Sequence, residues 1–320
     1  MSRWMLPVFT LVLSSVIGGF ATAPYAAAHF NRFTDYGLLA NLLTVPVMGA
    51  VIMPAGAVAA LLAPVGLEGL PLWVMEQGAR WILFVAHWIA GLDGSVTAIP
   101  APGPWVMPLL TLGAIWVILW RGWVRSVGLA PVAVALALWT VAERPVLLVS
   151  GDGKLLGLLG AEGRALSADK GGGFAAENWL ENDGDLAMQA DAAARDGFTG
   201  PKGERWFDLG GIRAVSLTGK DALATLGPAC ATGALVIVAE EIDAAPEGCR
   251  LIDGRMLEAT GALAVWSDPS GLWFERTRVQ TRLWSPPARE VTLPSLAPLA
   301  APNADEPALP LQDNSLQEED

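Results

Sequence analysis

The chain has 320 residues, a net charge of −12 and 53% hydrophobic residues, with only two histidines and two cysteines. Residues 1–150 hold six basic and five acidic residues, whereas residues 151–320 hold 14 basic and 27 acidic ones. Long apolar runs with so few charges indicate a polytopic membrane protein, and the second part has the charge density of a soluble domain. An acidic domain repels phosphate, and it shows no basic patch of useful size, which disfavours nucleic-acid binding there.

Five apolar blocks predict an all-α membrane region of about five transmembrane or re-entrant helices within residues 1–149. The blocks cover residues 5–28, 37–63, 72–92, 105–120 and 128–149. The first block has a second interpretation as a signal peptide, because small residues at 21–23 and 26–28 follow its apolar core. The sequence alone leaves both interpretations open.

The loop from Arg121 to Arg125 is the best signal of orientation, because short cytoplasmic loops are enriched in Lys and Arg. Tryptophans beside it, as an interfacial belt would have, support a position at the membrane surface. With this loop inside, residues 29–36 and the whole soluble part lie outside. Arg32 is the one charge that disagrees with this orientation.

Residues 29–54 form a polar patch that leads into an apolar run interrupted by prolines. Bilayer hydrocarbon offers no water to a broken backbone, so such a segment must be buried in protein or line a cavity. The candidate residues for a pathway here are His29, Asn31, Arg32, Asn41, Pro46 and Pro54. The alternative is an ordinary transmembrane helix that its prolines kink.

The third block carries Glu76, Arg80 and His87, which fall within about 40° of one another on a helix. Charged side chains inside a membrane are costly and usually face a cavity or each other. The three residues are therefore candidates for lining a path. The alternative is a Glu–Arg pair that reaches the membrane surface, with His87 incidental.

Residues 150–290 predict a small soluble α/β (α+β) domain, in which strands alternate with helices. Cys230 and Cys249 would form one disulfide in an oxidising compartment, or otherwise remain two buried thiols. Residues 291–320 predict a disordered, acidic, Pro-rich tail. The expected strands cover residues 146–150, 154–159, 206–209, 212–217, 234–240, 262–266 and 272–279, and the expected helices cover 175–180 and 185–195.

Residues 29–56, HFNRFTDYGLLANLLTVPVMGAVIMPAG, closely resemble a segment of the competence domain of ComEC-type DNA-internalisation proteins. The resemblance implies a multi-pass protein of the bacterial inner membrane, and the orientation predicted from the Arg121–Arg125 loop places its C-terminal domain on the periplasmic side. It implies that the chain forms part of a channel for single-stranded DNA in natural transformation. We expect no cofactor. The implied partners are the DNA strand, the lipid bilayer, DNA-delivery proteins of the competence machinery and further copies of the chain. Family members also have an oligonucleotide-binding domain and more helices upstream, so we expect a C-terminal portion of such a protein.

Many proteins of this family continue into a metallo-β-lactamase-like domain, and residues 150–290 are compatible with a degenerate version of it. That chemistry needs clustered histidines and aspartates to hold zinc and activate water. Both histidines lie at or before residue 87, so we expect no enzyme activity and no metal. The alternatives are a metal-dependent nuclease and a remnant without function. We interpret the loop aspartates as turn formers rather than a weak Mg²⁺ or Ca²⁺ site: Asp152, Asp169, Asp183, Asp185 and Asp208.

Overall fold

The computed structural model of the chain describes residues 5–279 and 291–297. The chain divides into two compact units. Unit 1 comprises Met1–Arg144 and Leu159–Arg195, and unit 2 comprises Pro145–Leu158 and Asp196–Asp320. The sequence predicts that the membrane region ends at residue 149, whereas this division groups residues 159–195 with the apolar helices.

The described part of unit 1 consists mainly of helices. The six in its apolar part are α1 (Met5–Phe30), α2 (Gly37–Val47), α3 (Met53–Leu62), α4 (Gly69–Ala90), α5 (Val106–Leu119) and α6 (Leu129–Thr140). A π-helical turn (Met48–Ile52) joins α2 to α3, and 3₁₀ turns follow α3 (Ala63–Val65) and precede α6 (Gly122–Gly128). Residues 159–195 add strand β5 (Gly163–Leu166) and helices α7 (Gly173–Asn182) and α8 (Gln189–Ala193).

Two short strands also lie in the apolar part of unit 1. Strand β1 (Arg32–Thr34) pairs antiparallel with β2 (Val96–Ala98), so that Arg32 lies opposite Ala98. The predicted all-α region therefore contains a β-ladder. Three-residue strands have too short a pattern for the alternation of apolar and polar residues to reveal them.

Two helical stretches among the described residues are long and apolar enough to cross a membrane. They are Gly37–Val65, with 29 residues, and Gly122–Thr140, with 19. The expected five membrane helices are therefore not confirmed. Helix α5 is apolar but has only 14 residues, and α4 carries Glu76 and Arg80 in its middle.

Glycines allow the helices of unit 1 to approach closely. A Cβ on Gly78 of α4 would lie 2.5 Å from Cγ1 of Ile52 in the π-helical turn. On α4, Pro71, Gly78 and Val85 are buried. At seven-residue spacing these three form one seam along the helix, and Gly78 brings that seam against the turn between α2 and α3.

Unit 2 contains two sheets. The first has the antiparallel order β11-β10-β3-β4, and the second has the order β6-β7-β8-β9, with β7, β8 and β9 parallel. The strands are β3 (Leu147–Val149), β4 (Leu156–Gly160), β6 (Glu204–Leu209), β7 (Ile212–Leu217), β8 (Leu235–Val238), β9 (Arg250–Ile252), β10 (Leu263–Asp268) and β11 (Gly271–Arg276), and the helices are α9 (Ala222–Ala231) and α10 (Gly254–Thr260).

The main core of unit 2 lies between its two sheets, because it draws buried side chains such as Leu147, Val265 and Ile237 from both. A second core packs α9 against the parallel strands. Residues 291–297 contribute to the first core through Leu296, which is 7% exposed. These seven residues were expected in the disordered tail; burial of an apolar side chain explains their order. Residues 298–320, the remainder of that expected tail, lie outside the described part of the chain.

Candidate functional site

The polar patch at residues 29–36 is held by a left-handed turn at Asn31. Asn31 has a φ of 53° and is 6% exposed. Its side-chain amide donates to the carbonyl of Ile99 at 3.3 Å, and the amide N–H of Ile99 donates to the carbonyl of Asn31 at 2.9 Å. Asparagine adopts this conformation more readily than most residues, because its short polar side chain bonds locally. Asn31 therefore positions the patch, while His29 and Arg32 beside it are exposed.

Arg32 forms an ion pair with Glu181 at the end of α7. The side chains remain 44% and 25% exposed, respectively. Nearby, Thr97 of β2 donates to the carboxylate of Asp35 at 2.8 Å. The candidate DNA-path residue Arg32 is thus already engaged by a carboxylate from residues 159–195. Sequence reasoning missed Glu181 because 149 residues separate it from Arg32.

Two further contacts hold the end of α7 against the loop that follows β2. The N–H of Ala101 donates to the carbonyl of Asn182 at 2.8 Å, which satisfies a carbonyl left free at the helix end. Gly184 has a φ of 73°, and a Cβ there would lie 2.8 Å from the nitrogen of Pro100. The indole N–H of Trp139 donates to the carbonyl of Pro100 at 2.8 Å, which ties the same loop to α6.

A buried ion pair fixes the segment directly beside these contacts. The guanidinium of Arg164, which is fully buried, donates to the carboxylate of Asp183 at 2.6 Å and 3.1 Å. Arg195 donates to Asp185 at 2.5 Å and to the carbonyl of Arg164 at 2.9 Å. Asp183 and Asp185, interpreted from sequence as turn formers, therefore hold arginines in an ionic network. Arg164 and Asp183 are 19 positions apart in the chain, and this short separation is the one sequence feature that favours their pairing.

Two of the loop aspartates, Asp185 and Asp152, have lowered pKa values, and different partners cause the two shifts. Burial opposes ionisation of Asp185, but the hydrogen bond from Arg195, the N–H of Ala187 and the charge of Arg144 together lower its pKa below the ordinary value. Burial also opposes ionisation of Asp152, whose pKa is nevertheless lowered by hydrogen bonds from Ser150 and the N–H of Lys154. Asp152 is a turn former as expected.

Helix α4 presents its candidate residues on the side opposite its packed seam. At roughly 100° per residue, Glu76, Arg80 and His87 lie about 160–200° around the axis from Gly78. All three are exposed; Arg80 donates to Glu76 at 2.8 Å, and Nδ1 of His87 lies 2.7 Å from the carbonyl oxygen of Leu83. We call these three residues the α4 stripe. The three residues share one face of α4, and within the described part of the chain that face is exposed.

The prolines of the 37–65 stretch do not break the helix. Pro46 lies within α2 and Pro54 at the start of α3, and the π-helical turn between them keeps the backbone helical. Asn41, Pro46 and Pro54 are exposed. Because α2 and α3 pack on the seam of α4, these residues do not face the α4 stripe. In the described part of the chain, the predicted site residues therefore do not all line one path.

In unit 2 the clearest chemical feature is a disulfide. Cys230 at the end of α9 bonds to Cys249, just before β9. The described residues of the chain contain no group of three or more His, Cys, Asp or Glu side chains arranged to hold a metal ion. The disulfide therefore has a structural role in unit 2, and the polar residues predicted to line a pathway all lie in unit 1.

Residues 1–124 match the family model described as Competence protein. This match confirms, for that part of the chain, the resemblance to ComEC-type proteins carried by residues 29–56. Neither a curated protein nor a solved structure matches the chain. The expected metallo-β-lactamase-like character of residues 150–290 therefore gains no support from the comparisons.

Proposed function

With residues 1–124 carrying a competence-protein domain, we propose that this chain is a component of a channel for single-stranded DNA in natural transformation. The α4 stripe contributes a polar wall to that channel, and the patch at residues 29–36 lies at its entrance. The family match supports a role in competence and DNA uptake, and the geometry of α4 supports the finer assignment.

The open α4 stripe is the observation that carries the proposal. In our proposal α4 also crosses the membrane: it is less apolar than the two candidate spans, but its 22 residues extend about 33 Å, close to the thickness of bilayer hydrocarbon. Arg80 is the twelfth of these residues, so the Glu76–Arg80 pair lies near mid-span. A charged pair at that depth is costly against lipid tails and is usually found facing protein or water. The opposite face of α4 is already packed, so the stripe is the face that a polar pathway would use.

Closing such a pathway requires a second wall, because Asn41, Pro46 and Pro54 lie on the other side of α4. In our proposal further membrane helices, from another copy of the chain or from DNA-delivery proteins of the competence machinery, supply it. Helix partners of this kind satisfy buried polar groups by hydrogen bonds across the interface.

The proposed location is the bacterial inner membrane, multi-pass, with unit 2 on the periplasmic side. The disulfide between Cys230 and Cys249 supports that side, because disulfides persist in oxidising compartments and are rare in the cytosol. The Arg121–Arg125 loop supports the same orientation from the cytoplasmic side.

We propose no catalytic role for residues 150–290. This segment contains no histidine, and a zinc-dependent hydrolase needs nitrogen or sulfur ligands in addition to carboxylates. Both cysteines are consumed by the disulfide. In this proposal unit 2 has a structural role.

Substituted-cysteine labelling tests the position of the α4 stripe. Arg80→Cys and His87→Cys in the full chain, in native membranes, are treated with a membrane-impermeant maleimide; Val85→Cys on the packed seam is the control. The native cysteines are paired and do not react. Both stripe variants should react faster than Val85→Cys, and equal protection of all three would remove the stripe from any aqueous path.

Uptake of fluorescent DNA tests the function itself. Cells deleted for the gene should lose uptake and transformation, and normal transformation in these cells would refute the proposal. Complementation with Arg80→Gln should restore less uptake than complementation with Ala79→Ser, which changes an exposed neighbour about 80° from the middle of the stripe. Immunoblots of membranes must show equal protein levels for the comparison to count.

A further inference from the structure

We propose that Arg32 is a binding position for a backbone phosphate of single-stranded DNA, and that Glu181 occupies this position as a carboxylate stand-in until the strand displaces it. The inference rests on the proposed function, since it names a contact and a control point at the entrance of that pathway. It assigns residues 159–195 a regulatory part in DNA binding.

The first argument is the chemistry of the pair. A guanidinium presents a planar fork of N–H donors that suits a carboxylate or a phosphate, so the two anions compete for the same geometry. Arg32 is the only Lys or Arg in residues 29–36 and in the facing segment 91–105, which also contain Asp35 and Asp93. With Arg32 paired to Glu181, the entrance therefore offers a polyanion no unpaired Lys or Arg from these two segments.

The second argument is that this pair can open while its surroundings stay fixed. Both side chains of the Arg32–Glu181 pair are solvent-accessible, and exposed ion pairs are weak and screened by salt. The backbone contact of Asn182 with Ala101 and the buried Arg164–Asp183 pair hold the end of α7 independently of Glu181. Release of Arg32 requires only rotation of the Glu181 side chain.

The third argument is that the competing ligand is multivalent. A DNA strand brings successive phosphates, and each neutralised phosphate releases counterions that favour binding at low salt. A single carboxylate on a fixed helix has no comparable gain. The competition should therefore shift toward Glu181 as the salt concentration rises.

The experiment measures binding of a short fluorescein-labelled oligo(dT) to the full chain in detergent micelles. Glu181→Gln removes the competing charge and keeps the size of the side chain. Glu177→Gln is the matched control, because it removes the same charge from an exposed position one turn earlier on α7. The double variant Arg32→Gln/Glu181→Gln tests whether any gain passes through Arg32. Thermal unfolding of each variant checks that the fold is intact.

We expect Glu181→Gln to bind the oligonucleotide about two- to fivefold more tightly than the native chain, as loss of an exposed ion-pair competitor allows. Glu177→Gln should stay close to the native affinity, and the double variant should lose the gain. An equal change in affinity for Glu181→Gln and Glu177→Gln overturns the inference, and so does the absence of binding by every variant.

A second set of measurements separates DNA phosphate from lipid phosphate. The same variants are tested for binding to phosphatidylglycerol vesicles and to phosphatidylcholine vesicles. A gain seen only with phosphatidylglycerol would assign Arg32 to a lipid headgroup and overturn the DNA assignment. These binding results are independent of cellular DNA uptake, so the control point and the proposed function fail separately.

Discussion

The backbones of Gly113 in α5 and Gly128, at the end of the 3₁₀ turn before α6, lie in close contact. A Cβ added to either residue would lie 2.7 Å from the carbonyl oxygen of the other. On Gly128 the same atom would also lie 2.9 Å from the side chain of Trp116. Close approach of backbones through small residues is a common means of helix association in membranes. The two glycines therefore set the spacing between α5 and α6.

Gly113→Ala and Gly128→Ala should each destabilise unit 1 by about 1–3 kcal/mol, because the added methyl group meets backbone atoms that cannot rotate away. Thermal unfolding of the full chain in detergent, followed by tryptophan fluorescence, measures the effect. Gly49→Ala is the control, since a Cβ at Gly49 meets nothing within 4 Å. Equal melting temperatures for Gly113→Ala and Gly49→Ala would contradict the assigned packing.

Removing one member of the buried Arg164–Asp183 pair should be far more costly than removing a surface charge. Asp183→Asn leaves a buried guanidinium without its counter-ion, and we expect a loss of about 3–5 kcal/mol in unfolding free energy. Limited proteolysis should then cut residues 159–195 faster. Asp191→Asn, an exposed change on α8, is the control and should cost less than about 1 kcal/mol. Similar cleavage rates for the two variants would show that the pair does not hold the segment.

Asp185 should make the stability of unit 1 depend on acid pH. Its pKa in the folded chain lies below the ordinary value of about 3.9, so its ionised form favours folding above that pH. The contribution is lost as the pH falls through the lowered pKa, because the folded state must then take up a proton. Melting temperature measured from about pH 6 to about pH 3 should fall less steeply in Asp185→Asn than in the native chain. Parallel curves would contradict this role of Asp185.

The disulfide of unit 2 should contribute stability through the loop that it closes. Cys230 and Cys249 are 19 residues apart, and a loop of this size is worth about 3 kcal/mol. A Cys230→Ser/Cys249→Ser variant should unfold at lower temperature and should no longer respond to reducing agent. The native chain should respond to the reductant. Mass spectrometry of a non-reduced digest provides the direct check, and free thiols at both positions would refute the linkage.

Several elements could be predicted because their signals are local. Strand β7 has the expected bounds of residues 212–217, and α7 extends the expected helix 175–180 by two residues at each end. Helix α8 is shorter than the expected 185–195, because Asp185 takes part in other interactions. Its carboxylate accepts a hydrogen bond from the N–H of Ala187 and forms a salt bridge with Arg195. The π-helical turn was missed, since proline interrupts helical hydrogen bonds without stating how the backbone will adapt.

The candidate site could be predicted only where its residues share one helix. The spacing of Glu76, Arg80 and His87 places them on one face, as the sequence predicts. The pairing of Arg32 with Glu181 depends on tertiary structure over a long distance in the chain, and no local pattern encodes it. Asn31 was expected on the DNA path, whereas its buried side chain bonds within the turn and positions Arg32.

The long separation of Arg32 from Glu181 also matters while the chain is being made. At about 5–20 residues per second, a ribosome needs roughly 7–30 s to add the 149 residues between them. Helices α2 to α6 are synthesised within that interval, so they leave the ribosome while the charge of Arg32 is still uncompensated. In the proposed membrane topology, the insertion machinery therefore encounters a positive charge after α1 that pairs with Glu181 in the finished protein. In the proposed orientation, Glu181 is made too late to offset the charge of Arg32, and the loop at Arg121–Arg125 must outweigh Arg32 unaided.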